Sequence, residues 1–104
     1  MKLKSLIVGL ICLSTISLAE GLKVDDYKVK EYVKSNYESS IMRKEVYNLE
    51  LQNIAKLDNI MRNGSELEIK VLKKTLRTYD PYMYSFTAVY EIYKQELQSA
   101  KEGW

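Results

Sequence analysis

The stretch that decides the fold is residues 69–100, which read IKVLKKTLRTYDPYMYSFTAVYEIYKQELQSA. Apolar or aromatic residues recur in it at alternating steps of three and four: Ile69, Leu72, Leu76, Tyr79, Met83, Phe86, Tyr90, Tyr93, Leu97 and Ala100. This spacing is typical of a helix that buries one narrow seam against a partner helix. Because the phase does not change at Pro81, we predict one helix over about 66–102, kinked at that proline. Alternatively, Asp80 caps and Pro81 begins a separate third helix.

Another helical segment precedes this one. From about 24 to 62 the chain contains no Pro or Gly and is rich in helix-forming residues. We therefore predict a first helix over 24–62, with residues 20–23 as a mobile lead-in. Ser35 and Glu38 have the spacing of a capping box, so a break within 35–40 is the alternative to one continuous helix.

A short turn at 63–65, Asn-Gly-Ser, separates the two helices. Gly64 suits the left-handed position that follows a helix, and Ser65 with Glu68 has the spacing of a capping box. A turn this short places its two helices side by side and antiparallel. The predicted fold class is all-α, an antiparallel two-helix hairpin resembling a coiled coil, with a three-helix arrangement as the alternative.

Residues 1–19 have the pattern of a secretory signal peptide. Lysines near its start supply positive charge, residues 6–13 are almost wholly apolar, and Ser17 and Ala19 are small residues at the two positions that a signal peptidase reads. We predict cleavage after Ala19 and an exported hairpin domain over 20–104, located in the periplasm, at the cell surface or outside the cell. The alternative is an uncleaved segment that holds the chain at a membrane, although its apolar core is short for a span.

The composition excludes several classes of function. The chain has 16 basic and 14 acidic residues, and two of the lysines lie in 1–19, so residues 20–104 are electrically balanced. This balance argues against a nucleic-acid partner. The chain has no histidine, and its one cysteine also lies in 1–19, which leaves no nucleophile–base pair and no nitrogen–sulfur metal site. We predict a non-enzyme with no catalytic residue, cofactor or metal.

Apolar and aromatic residues outside the seam are the candidate contact residues. The first helix carries a second apolar stripe, wider than one partner helix covers. Tyrosine, of which the chain has nine, is enriched at interfaces. The candidates are Met42, Val46, Leu49, Leu57, Ile60, Tyr82, Tyr84 and Trp104. We predict contact with another protein and self-association into a homo-oligomer; for the two tyrosines, packing within the chain is the alternative.

A basic face on the second helix has two interpretations. It consists of Lys70, Lys73, Lys74 and Arg77. In a hairpin, Glu50 would fall near Arg77 and Asp58 near Lys70, so pairing beside the seam is one interpretation. Docking to an acidic partner or to lipid head groups is the other.

These features together resemble one known family. A hairpin of two long helices without histidine or mature cysteine is similar to the small fusobacterial FadA-type adhesins. The local likeness is Glu45-Val46-Tyr47-Asn48, with Leu51 and Leu57 beyond it. The resemblance implies a helical hairpin that polymerises through leucine contacts and acts in adhesion. A periplasmic binding, inhibitor or chaperone-like module for another protein is the alternative function.

Overall fold

The structure, a computed structural model, describes residues 20–104, and this part of the chain is all-helical. Its five helices are α1 (Asp26–Asn36), α2 (Ser40–Asn63), α3 (Glu66–Thr78), α4 (Pro81–Tyr84) and α5 (Phe86–Lys101). The predicted all-α class is confirmed, whereas the two-helix hairpin is not. The predicted signal peptide, 1–19, lies outside the described residues.

The predicted first helix is divided between Tyr37 and Ser39. Tyr37 has an extended backbone, and the Ser39 hydroxyl caps α2 by accepting the N–H of Met42. The break therefore falls within the range given as the alternative, with Ser39 and not Ser35 as the cap. Arg43 donates to the carbonyls of Tyr37 and Lys34, so the exposed end of α1 is satisfied from α2.

The break lets α1 fold back antiparallel along the first half of α2. The Tyr47 hydroxyl of α2 donates to the Asp26 carboxylate at the start of α1. This hydrogen bond, followed by the nearby Lys30 ammonium, holds the pKa of Asp26 below its ordinary value. Tyr47 therefore fastens α1 to α2.

The turn between α2 and α3 has the capping box expected from its sequence. Ser65 accepts the N–H of Glu68, and the Glu68 side chain accepts the N–H of Ser65. The left-handed conformation expected for Gly64 is wrong, since its φ is −71° and its ψ is 165°. Glycine is required because a Cβ would lie 2.5 Å from the carbonyl oxygen of Ile60.

The prediction of one continuous helix through Pro81 is wrong. Thr78 ends α3, the Asp80 carboxylate accepts the N–H of Tyr82, and Pro81 is the first residue of the four-residue α4. At Ser85 the backbone has a φ of 89°, a left-handed conformation that turns the chain before α5. The regular spacing of apolar residues across Pro81 arises because α3 and α5 each bury one side in the same core. Two separate helices can give this spacing, so it does not require one continuous helix.

The three longest helices, α2, α3 and α5, form the body of the domain. α3 returns from α2 across the short turn, and α5 returns along α3. The pKa of Glu68, at the start of α3, is lowered chiefly by its bond from Ser65 and also by Lys101 at the end of α5. The two helices are therefore antiparallel, and α5 runs in the same direction as α2.

A small core lies where these helices meet. Its connected buried residues are Val29, Leu57, Val71, Leu72, Phe86 and Tyr93. Leu57 and Leu72 are completely inaccessible to solvent, and each contributes about 1.5–3 kcal/mol by burial. Burial also raises the pKa of Tyr93 to about 12, so its hydroxyl stays protonated.

Residues 20–25 form an N-terminal strap, not the mobile lead-in expected. The N–H of Leu22 donates to Asp58 Oδ1 at 2.8 Å, and the N–H of Asp25 donates to the Tyr82 hydroxyl at 2.8 Å. A Cβ on Gly21 would lie 2.3 Å from Asp58 Oδ1, so glycine allows the strap to approach α2. The bond from Leu22, followed by the Arg62 guanidinium, lowers the pKa of Asp58.

We expect Asp58→Ala to release the strap and to lower the free energy of unfolding by about 1 kcal/mol, the contribution of one hydrogen bond. Because the pKa of Asp58 is lowered on folding, its contribution is complete above the unfolded value of 3.8 and disappears as the pH falls through the folded value. Measured by urea unfolding, the free energies of unfolding of the variant and the wild type should therefore differ at neutral pH and become equal well below pH 3.8.

Hydrogen exchange at the Leu22 amide locates the effect. Arg62→Ala is the matched control, because it removes the ion pair with Asp58 and leaves the acceptor for Leu22 in place. Equal exchange protection of Leu22 in the wild type and in Asp58→Ala would contradict the assignment.

Candidate protein-contact surface

The predicted contact residues fall into three groups by exposure. Met42, Leu49, Tyr84 and Trp104 are exposed, Val46, Ile60 and Tyr82 are half-buried, and Leu57 is completely buried. Trp104, with 93% of its surface exposed, lies at the chain end beyond α5. The structure therefore separates residues that sequence reasoning had grouped together.

Leu57 and Ile60 are core residues in this structure, so we remove them from the contact surface. Leu57 has no exposed surface and belongs to the connected core, against which Ile60 also packs. They were expected on an outer stripe because a hairpin offers α2 one partner helix. In the structure α2 contacts both α3 and α5 along its second half, and the wide apolar stripe is used to cover both.

The two tyrosines beside Pro81 have different environments. The ring of Tyr82 packs edge-on against Phe86 at 5.4 Å, and its hydroxyl accepts the N–H of Asp25. Tyr82 is thus committed to contacts within the chain. Tyr84 packs edge-on against Tyr79 at 5.6 Å and is 49% exposed, so one side of its ring remains accessible.

The exposed residues of α2 continue a seam that is buried further along the same helix. Met42, Val46 and Leu49 are spaced by four and three residues and lie on the side of α2 that also carries Asn53 and Leu57. Met42 and Leu49 are 45% and 46% exposed, whereas Asn53 is 5% exposed. We call Met42, Val46 and Leu49 the uncovered stripe.

The stripe is uncovered because α5 begins opposite Glu50. The Glu50 carboxylate accepts the N–H of Phe86 at 2.7 Å and that of Thr87 at 3.2 Å, which places the first residues of α5 beside it. The ten residues of α2 before Glu50, 40–49, are flanked by α1 through Arg43 and Tyr47. These contacts lie on a different side of α2 from the uncovered stripe.

Glu50, expected near Arg77, is instead the centre of a buried polar cluster. It is 2% exposed, and besides the two N–H groups it accepts the hydroxyl of Thr87, which in turn accepts Asn53 Nδ2 at 3.0 Å. A carboxylate is favoured at a helix N-terminus because free N–H groups and the helix dipole are positive there. No buried side-chain polar atom among residues 20–104 lacks a hydrogen-bond partner. The cluster therefore has a structural role, which is to attach the start of α5 to α2.

Other large apolar side chains are also exposed, although the sequence analysis did not include them among the candidate contact residues. Ile41 and Leu51 of α2 are 74% and 41% exposed, and Met83, predicted on the seam of the second helix, is 68% exposed. Periodicity did not identify them, because apolar residues cover about half the circumference of α2 and any of them fits a seam.

Two shallow grooves border α1. One lies between α1 and α2, has a volume of about 160 Å³ and is lined by Lys30, Val33, Lys34, Arg43, Lys44 and Tyr47. The other, of about 330 Å³, lies between α1 and α4 and is lined by Lys28, Glu31, Tyr32, Ser35, Asn36, Tyr82 and Met83. Both are open clefts between helices.

The described residues offer no metal site or membrane span. Residues 20–104 contain no group of three or more side chains suited to hold a metal ion. Within the same range, no helix has the length and apolar character required to cross a membrane. Comparison of the chain with protein-family models, characterised proteins and solved structures finds no match in any of the three.

Proposed function

We propose that this protein is a non-enzymatic, exported helical protein that self-associates and contacts another protein, with adhesion as its role. The observation that supports self-association best is the uncovered stripe. This stripe, Met42, Val46 and Leu49, continues the buried seam of α2 toward the start of α2, beyond Glu50, where α5 begins and no longer covers it. A second helix placed on this stripe would extend the core across two chains.

The stripe suits a second copy of the same chain. An isologous contact brings the same patch from both copies together around a two-fold axis. Two copies of α2 crossing antiparallel would place Leu49 of one copy near Met42 of the other, with Val46 central. Burial of apolar surface contributes about 25 cal/mol per Å², so the gain is modest and a reversible, concentration-dependent association is expected.

Export and adhesion rest on the sequence. The signal-peptide pattern of 1–19 supports export, and the likeness to FadA-type adhesins supports adhesion through assembled copies. The absence of histidine and the balanced charge of residues 20–104 support a role in contact and not in catalysis.

The second candidate is a binding or inhibitor module for a different protein. The groove between α1 and α4 favours it, because Met83 lies at this cleft and is 68% exposed. Its volume of about 330 Å³ is enough for a side chain of a partner.

Leu49→Asp is expected to abolish self-association while the helical fold is retained. A carboxylate inside this apolar contact would be buried without a partner, which is strongly unfavourable. Sedimentation velocity over a range of concentrations measures the change. Leu51→Asp is the matched control, because Leu51 lies on the opposite flank of α2 and has similar exposure, 41% against 46%.

The two variants separate the candidates. The proposal requires a wild-type chain that forms oligomers, a monomeric Leu49→Asp variant and an oligomeric Leu51→Asp variant, all with equal helix content by circular dichroism. A wild-type chain that stays monomeric at every concentration would argue against self-assembly and for the binding module. Oligomers that survive Leu49→Asp would show that the contact lies elsewhere.

A further inference from the structure

The outer face of α3 carries an exposed cluster of positive charge that the proposed function leaves unused. Its basic residues are Lys70, Lys73, Lys74 and Arg77, all exposed. Their spacing of three, one and three places them together on the side of α3 opposite the buried Val71, Leu72 and Thr75. We propose that this face binds the surface of a bilayer that contains anionic phospholipids.

The basic face is not neutralised by the residues around it. Within 20–104, ion pairs join Lys30 to Asp26, Arg62 to Asp58 and Lys94 to Glu91, and none includes a member of this face. The two acids that a hairpin would have supplied are engaged elsewhere: Glu50 is buried at the start of α5, and Asp58 binds Arg62 and Leu22.

Acidic side chains near the face are few and lie at its margins. Glu66 stands one turn before Lys70, and Glu68 is bonded to Ser65 at the helix start. Glu96 lines a small cleft of about 100 Å³ with Lys74 on the α5 side. The chain as a whole is nearly balanced in charge, so attraction to an anionic surface depends on local clusters of cations such as this face.

The chemistry of the face favours a bilayer over a folded protein partner. It covers one side of a single helix, about 10 Å long over two turns, and the head groups of a fluid bilayer can rearrange around it. Three of its four cations are lysines, which act as point charges and need no matched acceptor geometry. Leu67, 39% exposed, lies on the same side, three residues before Lys70, where it can enter the head-group layer.

The expected strength follows from the number of charges. Each basic residue near an anionic membrane contributes about a fivefold gain in partitioning, and the gain falls off within a Debye length. Neutralising two residues in K73Q/K74Q should therefore weaken binding on the order of 25-fold, and reversing them in K73E/K74E should weaken it further. Raising the salt concentration from about 0.1 to 1 M shortens the Debye length from about 10 to 3 Å and should have a similar effect.

The test is cosedimentation of residues 20–104, the chain expected after cleavage at Ala19, with vesicles of equimolar phosphatidylglycerol and phosphatidylcholine, with vesicles of phosphatidylcholine alone in parallel. K34E/K44E is the matched control, because it changes the net charge equally and Lys34 and Lys44 lie in the groove between α1 and α2. Circular dichroism confirms that each variant remains helical. The α2 stripe is unchanged in every variant, so self-association measured on the same samples reports separately on the proposed function.

Binding that requires phosphatidylglycerol, weakens in high salt, and is lost in K73E/K74E but kept in K34E/K44E would support the proposal. If K73E/K74E unfolds, the same comparison is made with K73Q/K74Q. Equal binding to both kinds of vesicle, or equal loss in both reversed variants, would overturn it. Failure to bind vesicles together with binding to polyglutamate would overturn it in favour of an acidic protein partner.

Discussion

Glu50→Ala is expected to lower the free energy of unfolding by about 3 kcal/mol, because it leaves several buried donors without an acceptor. The donors are the N–H groups of Phe86 and Thr87 and the hydroxyl of Thr87. Glu50 is 2% exposed and Phe86 1% exposed, so water does not readily replace the carboxylate. The measurement is urea unfolding followed by circular dichroism, with extrapolation to zero denaturant.

Two variants test the assignment of this effect. Glu45→Ala removes an exposed carboxylate from the same helix and is expected to change stability little. Glu50→Gln keeps an acceptor but replaces one oxygen by a donor, so its stability should fall between wild type and Glu50→Ala. If Glu50→Ala and Glu45→Ala unfold at the same urea concentration, the carboxylate does not hold α5 in place.

Leu57→Ala is expected to destabilise the fold by about 2–5 kcal/mol, the range for removing a fully buried leucine. Leu57 has no exposed surface, and its neighbours come from several helices, so the cavity has little room to collapse. This result would distinguish a core residue from the contact residue that the sequence pattern predicted. Thermal and urea unfolding of the purified chain provide the measurement.

Leu51→Ala is the control for Leu57→Ala, because the same atoms are removed from a side chain that is 41% exposed. It should cost well under half as much, since less apolar surface leaves the interior. A Leu57→Ala variant with wild-type stability and no self-association would instead return Leu57 to the contact surface.

The local features of the helices were accessible from sequence because they depend on neighbouring residues. The capping box joins Ser65 to Glu68, three positions apart, and the helix start at Asp80 and Pro81, given as the alternative to a kinked helix, depends on two adjacent residues. A cap depends on a side chain and on N–H groups two or three positions away, so these could be predicted whatever the rest of the chain does. The cap at Ser39 was placed within a few residues for the same reason.

The arrangement of the helices was not accessible in this way. The apolar phase from Ile69 to Ala100 is compatible with one helix or with two that bury their sides in the same core. The extended backbone at Tyr79 and Asp80 and the positive φ of Ser85 decide between these, and serine carries no sequence signal for a positive φ. The partner of Glu50 was also missed, because the N–H groups that it accepts lie 36 and 37 residues away.

By itself, the sequence determined that most of residues 20–104 are helical, that a turn falls at 63–65, and which residues are apolar enough to be buried. It also determined the candidates Met42, Val46 and Leu49 and the basic face of α3, since both follow from helical spacing. Only the tertiary structure decided which part of each stripe is covered. Spacing along a helix shows which residues share one side. Whether that side is buried depends on where a helix distant in sequence begins, and here α5 begins at the Glu50 carboxylate.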